Sequence, residues 1–321
     1  MLSFLGRRIR GNVRILLVFV AGGVFWLIAA LAVPGFGSMQ NFRNVFLQTM
    51  ILSMVAAGQT FAIISGGIDL SVPYVLSMSA AVVGVVSAGR NEPLVWVVPL
   101  VLILAACVGL FNGLGVSYLK VAPIVMTMST NVIVSGAVVL FIGYAPPAHA
   151  SSAVEYLCFG RVAGVPVPAL ILVATLIAVT AILTLTPYGR RLYAVGTSST
   201  VSRFSGVNPA SIVIPAYMFS SVAAALAGII LLGYVGSVYM GMGEAYLFPS
   251  IAAVIIGGAS ILGGSGHYAG TVAGALLLTL LTGLLIVFNF GAGAIKIFYG
   301  LIILISVWVT SQTLGRKAPV G

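Results

Sequence analysis

The sequence predicts an all-α, polytopic membrane protein of about ten transmembrane helices with both termini cytoplasmic. Composition is the first ground: of 321 residues, 61% are hydrophobic and 6% charged, with mean hydropathy +1.22. Soluble domains carry about 25% charged residues, so a chain this poor in charge could not cover a water-facing surface. The second ground is run length. The apolar runs are continuous and about 20 residues long, as spanning helices are, rather than alternating and about 10 residues long, as barrel strands are. Third, the arginines and lysines lie between the runs. The net charge of +10 therefore reads as positive-inside topology and not as a nucleic-acid surface.

Residues 1–14 hold Arg7, Arg8, Arg10 and Arg14 and read as a cytoplasmic N-terminal segment. The apolar run 15–33 exceeds a signal-peptide core and lacks a clear small-residue cleavage pattern after it, so it reads as an uncleaved first helix. Nine more spans follow, at about 45–64, 72–88, 94–119, 124–142, 167–185, 212–235, 248–262, 270–288 and 294–310. This gives a transmembrane domain over 15–311 and a cytoplasmic tail over 312–321. Ten helices put Arg7, Arg8, Arg10, Arg14, Lys120, Arg190, Arg191, Arg203, Arg316 and Lys317 on the N-terminal side, against Arg43, Arg90, Arg161 and Lys296 opposite. Ten against four favours an even count and a cytoplasmic N-terminus. Glu92, Glu155 and Glu244 then face outward.

The stretch Ile64-Ser65-Gly66-Gly67-Ile68-Asp69-Leu70-Ser71 separates two of these runs and carries the one acid far from a water-facing loop. Gly66 and Gly67 free the backbone, and Asp69 and Ser71 offer caps to the next helix. Such a break is tolerated in hydrocarbon only inside protein or beside a water-filled cavity. Asp69 therefore either lines a solute path or caps a helix; the Gly-Gly-x-Asp-x-Ser spacing favours the cap. A second cluster, Gly257-Gly258 with Gly263-Gly264-Ser265-Gly266, follows a later apolar run in the same way. Paired, glycine-interrupted helices point to a transport pathway, while close helix packing explains glycine equally simply.

Two loops stand out. The outer one, about 143–166, includes Pro146-Pro147, Ser151-Ser152, Glu155 and Arg161 and is long enough for an external docking surface. The inner one, about 186–211, reads in its middle as a short helix, capped by Ser198 or Ser199 and stopped by Gly206. That helix either meets a partner or is an interfacial turn whose arginines face lipid head groups.

Cys107 and Cys158 form no disulfide framework, and Cys107, within an apolar run, reads as a small buried hydrophobe. His149 and His267 are far apart and leave no metal spacing. No catalytic constellation or phosphate-binding loop is present, so no cofactor is expected and the chain is not read as an enzyme. Nearly alone as an intramembrane acid, Asp69 makes a self-sufficient ion-driven transporter a poor fit. A subunit of a composite transporter fits better, with a secondary transporter or facilitator as the alternative.

Ser65-Gly66-Gly67-Ile68-Asp69-Leu70-Ser71 resembles the signature of ribose-type permease subunits of bacterial ABC importers. Gly189-Arg190, Ala194-Val195-Gly196 and Arg203-Phe204-Ser205-Gly206-Val207 resemble that family's inner-loop pattern. Ser250-Ile251-Ala252-Ala253-Val254-Ile255-Ile256-Gly257-Gly258, with the glycines after it, resembles a third motif. The match spans roughly 40–312 in the right order. Where the family often has Asn and acidic residues, this chain has Ser198, Ser199 and Thr200; where it often has Glu-Leu-Asp-Ala, this chain has Leu247-Phe248-Pro249-Ser250.

The resemblance implies a multi-pass protein of the bacterial cytoplasmic membrane that passes a monosaccharide or related solute. It implies a second permease subunit, a cytoplasmic ATP-binding subunit and a periplasmic sugar-binding protein as partners. It also implies a coupling helix near 198–206, where Ser199, Arg203, Phe204 and Gly206 would meet the ATP-binding subunit. Gly66, Gly67, Asp69, Ser71, Gly257 and Gly258 are the pathway or helix-break residues.

Overall fold

The computed structural model describes residues 2–143 and 149–315. Pro146-Pro147 and residues 316–321 lie outside them. The described helices are α1 (Leu2–Ala32), α2 (Met39–Ile64), α3 (Val72–Ser87), α4 (Leu94–Ser117), α5 (Pro123–Gly143), α6 (Ser152–Phe159), α7 (Val167–Leu185), α8 (Pro187–Thr197), α9 (Ser199–Phe204), α10 (Ala210–Val235), α11 (Leu247–Ile256), α12 (Tyr268–Val287) and α13 (Ala292–Gly315).

Six of these, α2, α4, α5, α7, α10 and α12, are long and apolar enough to cross a membrane. The other four expected spans are helices with shorter apolar stretches. α1 takes in most of the expected N-terminal segment, and α13 runs past 311 to Gly315. α3 has 16 residues, about 24 Å of rise, short of a hydrocarbon core of about 30 Å. The span expected at 248–262 is instead the 10-residue α11, because the helix stops at Gly257-Gly258.

The centre of the bundle is α10 with α2, and α10 also packs against α3 and α4. Within its apolar window α2 is 94% buried, against 22% for α4 and α7. The peripheral helices expose large apolar side chains such as Ile103, Val132 and Ile177, a surface suited to lipid or other helices. Cys107 belongs to that surface: it is exposed on α4, not buried, because it lies on the face turned away from α10. Cys158 is buried, with its thiol on the Ile230 carbonyl. Glycine permits the central contacts. A Cβ on Gly58 would lie 2.6 Å from the Ser220 Cα, and one on Gly228 would lie 2.2 Å from the Leu76 carbonyl oxygen.

The described part of the loop before α7 docks onto the C-terminal end of α10. His149 bridges Ser237, and the Ala150 N–H donates to the Gly236 carbonyl at 2.9 Å. Within this loop α6 precedes a hairpin, β1 (Arg161–Val162) with β2 (Val165–Pro166), which turns at Ala163-Gly164. The loop over 186–211 holds two helices where the sequence suggested one. α8 starts at Pro187 with Thr186 accepting from the Gly189 N–H, and α9 follows directly.

Candidate functional site

The two glycine breaks end their helices with the same hydrogen bonds. At the end of α2, Gly66 N–H donates to Ile63 O (3.0 Å) and Gly67 N–H to Ala62 O (3.0 Å). At the end of α11, Gly258 N–H donates to Ile255 O (2.9 Å) and Ala259 N–H to Val254 O (3.1 Å). Gly66 and Gly258 take φ of +92° and +93°, which glycine adopts without strain. Gly67 and Gly257 serve close approach instead. A Cβ on Gly67 would lie 2.2 Å from the Tyr217 hydroxyl, and one on Gly257 would lie 2.4 Å from the Gly270 carbonyl carbon.

The breaks meet each other and the end of α8. Gly264 N–H donates to Ile64 O at 2.9 Å, and Gly263 lies against Gly66. Gly196, on the last turn of α8, sits between them: its Cβ would be 1.8 Å from Ile64 O and 2.7 Å from Gly264 N. The Tyr193 hydroxyl donates to Gly266 O at 2.8 Å, and burial pushes its pKa up to about 12, so it remains a donor. Three sequence motifs separated by more than 60 residues are thus one backbone junction.

Asp69 stands just beyond the junction, fully buried. Its Oδ1 accepts from the Ser71 N–H (2.9 Å) and the Ser71 hydroxyl (2.5 Å), which also accepts from the Asn112 amide at 2.9 Å. The carboxylate therefore closes a turn ahead of α3 rather than bonding the first free N–H groups inside it. Ser71 is the N-cap residue but makes no side-chain cap. Pro73, with no N–H to satisfy, eases that requirement.

The segment is braced from three helices. Gln59 of α2 donates to Asp69 O (2.6 Å) and accepts from Asp69 N–H (3.3 Å). Thr127 of α5 accepts from Leu70 N–H at 2.9 Å. Asp69 Oδ2, Asn112 Oδ1 and the hydroxyls of Tyr217 and Ser220 lack hydrogen-bond partners among the described residues, although Ser220 and Tyr217 lie near enough to Asp69 to interact electrostatically. Sequence reasoning missed Gln59, Asn112, Thr127, Tyr217 and Ser220. The signal was there for Gln59 and Asn112, isolated amides inside apolar runs.

α9 leaves the junction through Ser198, whose hydroxyl accepts from Val201 N–H at 3.2 Å. Gly206, at φ +80°, closes it. Ser199 and Arg203 are exposed. Phe204 is 89% exposed, the most exposed large apolar side chain among the described residues, and it sits on a six-residue helix rather than a spanning one. Ser65, Lys120, Ser199, Arg203 and Asn208 help line a pocket of about 360 Å³ beneath α9, giving it a basic rim. No group of three or more His, Cys, Asp or Glu suited to a metal ion occurs among the described residues.

A family model described as the branched-chain amino acid transport system / permease component matches residues 41–307. The chain belongs to this permease family. It is 32% identical to the ribose import permease protein RbsC of Bacillus subtilis (strain 168) over 289 residues, 89% of each chain. It is 31% identical to the RbsC of Haemophilus influenzae over 303 residues, 93% of each. It is also 32% identical over 238 residues to the autoinducer 2 import system permease protein LsrD of Yersinia pseudotuberculosis, 71% of this permease and 70% of that one. No solved structure matches it.

Proposed function

We propose that this permease is the membrane-spanning subunit of an ATP-driven ABC importer, passing a monosaccharide or related small polar solute across the bacterial cytoplasmic membrane. The observation that carries the reading is the junction of Ile64, Gly66, Gly196 and Gly264, from which α9 projects. A push on α9 acts on the ends of α2 and α11 together, which is what coupling ATP hydrolysis to alternating access requires. The relatives named for ribose and autoinducer 2 import support the sugar class.

In this reading all ten apolar helices span, four of them over a shortened path, and both termini are cytoplasmic. Ser199, Arg203, Phe204 and Gly206 form the coupling surface: Phe204 supplies the apolar anchor and Arg203 faces acidic groups of the ATP-binding subunit. Asp69 is structural, holding the turn before α3. A second permease copy or homologue and a periplasmic sugar-binding protein complete the importer.

Affinity purification of the tagged permease, expressed with its neighbouring genes, tests this. The expected result is co-purification of an ATP-binding subunit, with a reporter fused after Gly321 cytoplasmic. Isolation alone, with solute uptake in ATP-depleted vesicles, would establish a facilitator instead.

A further inference from the structure

The sequence places Glu244 in an outward loop, but its neighbours lie deep in the bundle. The turn before α11 folds back onto the first turns of α3: Gly243 N–H donates to the Ser77 hydroxyl at 3.1 Å, and a Cβ on Gly243 would lie 2.0 Å from the Pro73 carbonyl oxygen. Glu244 itself accepts from the Tyr74 hydroxyl at 2.8 Å. Tyr74 in turn packs onto the patch of Ala81, Val134 and Val138. Val134 lies about 17 Å along the 21-residue α5, close to its middle.

α3 itself begins only after the chain has climbed from the α2 break past Asn112 and Thr127. The starts of two short helices, α3 and α11, therefore meet inside the bundle, between the levels of Thr127 and Val134 on α5, around an exposed carboxylate and a half-buried phenol. One turn before Val134, on the same face of α5, Asn131 holds a buried carbonyl oxygen with no partner among the described residues.

An ionisable side chain at that depth does not face lipid. It faces protein or a water-filled path. Resting on the importer reading, we propose that Tyr74 and Glu244 line the solute path and contact the hydroxyls of a polyhydroxylated solute in transit. The carboxylate accepts from two hydroxyls, the phenol reorients to donate or accept, and its ring offers an apolar face to the sugar's C–H side. Tyr74 sits on the first turn of α3 and Glu244 on the 3-10 turn that leads into α11, and Gly243 packed on α3 fixes their spacing.

Two measurements test the pair. In a Cys107→Ala background, Glu244→Cys is treated in membranes with a charged, impermeant methanethiosulfonate and compared with Ile103→Cys, an exposed mid-helix position on α4. A thiol in water ionises and one in lipid does not, so Glu244→Cys should react roughly ten-fold faster or more. Equal rates would place Glu244 against lipid and overturn the proposal, whatever the protein transports.

Uptake of radiolabelled D-ribose by the complete importer is the second readout. Glu244→Leu should cut it roughly ten-fold and Glu244→Gln by less, because the amide oxygen still accepts, with the ATP-binding subunit still bound. Unchanged uptake in Glu244→Leu would remove solute contact. Absent ribose uptake in the unmutated importer, with fast labelling retained, would exclude ribose as the solute and leave the water-lined path standing.

Discussion

The breaks after α2 and after α11 end alike and continue differently. Beyond Gly66 the chain turns back through Ile68, Asp69 and Leu70, and side chains hold it: Gln59, Thr127 and, through Ser71, Asn112. Beyond Gly258 the chain forms a glycine turn held mainly by backbone, with the Tyr193 hydroxyl on Gly266 O and the Ser260 hydroxyl on Leu262 N–H as its side-chain bonds. Ser260 N–H donates to Ser265 O, Gly263 N–H to Ser260 O and Gly264 N–H to Ile64 O, with Gly263 and Gly264 both at positive φ. The first break is organised by polarity and the second by the absence of side chains. The first should tolerate changes of size that keep its hydrogen bonds, except at Gly67, where Tyr217 leaves no room. The second should tolerate changes of chemistry only while backbones can still touch.

The largest effect is expected where both breaks share one contact. Gly196→Ala puts a Cβ into the Ile64 carbonyl, a clash only backbone movement relieves. It should cost roughly 3 kcal/mol or more, read as lost thermal stability in detergent. A stable, transporting Gly196→Ala would show that the junction is loose. Next comes Asp69→Ala, which leaves the Ser71 N–H unbonded in a buried site and should cost about 2–3 kcal/mol. Asp69→Asn keeps the accepting oxygen and should melt and transport nearly as the unmutated protein does. Loss of uptake by a well-folded Asp69→Asn would move the charge from the fold to the path.

Gln59→Leu should follow at about 1–3 kcal/mol, since it strands the N–H and carbonyl of Asp69 together. Gly258→Ala should cost least, about 1–2 kcal/mol, because its position is open and only its φ of +93° resists a side chain. A larger loss for Gly258→Ala than for Gln59→Leu would reverse the ordering of the two breaks.

Much of this was legible in the sequence, for local reasons. Six spans follow from run length, and the stop of α2 follows from Gly66. α9 lies within the expected 198–206 because a capping serine and a stopping glycine are signals inside one turn. α8 escaped: its Arg190-Arg191 pair and small residues carry no spanning signal. α11 ended six residues before the expected limit, because hydropathy continues through Ile261 and Leu262 although the backbone does not. The convergence on Gly196 was not legible, since hydrophobic period names a buried face without naming what covers it. The partners of Glu244 were hidden for the same reason: a charge between apolar runs reads as a loop, and only the packing of Gly243 on Pro73 sets it beside Tyr74.

The claim that α9 transmits force from an ATP-binding subunit to both breaks rests most directly on Phe204, which is almost fully exposed. The decisive measurement is ATP hydrolysis by the purified importer carrying Phe204→Ala, stimulated by solute-loaded binding protein and set beside the thermal stability of the permease alone. The expected result is unchanged stability with stimulation lost and the ATP-binding subunit retained poorly on purification. Full stimulation with a normal complex would contradict the account.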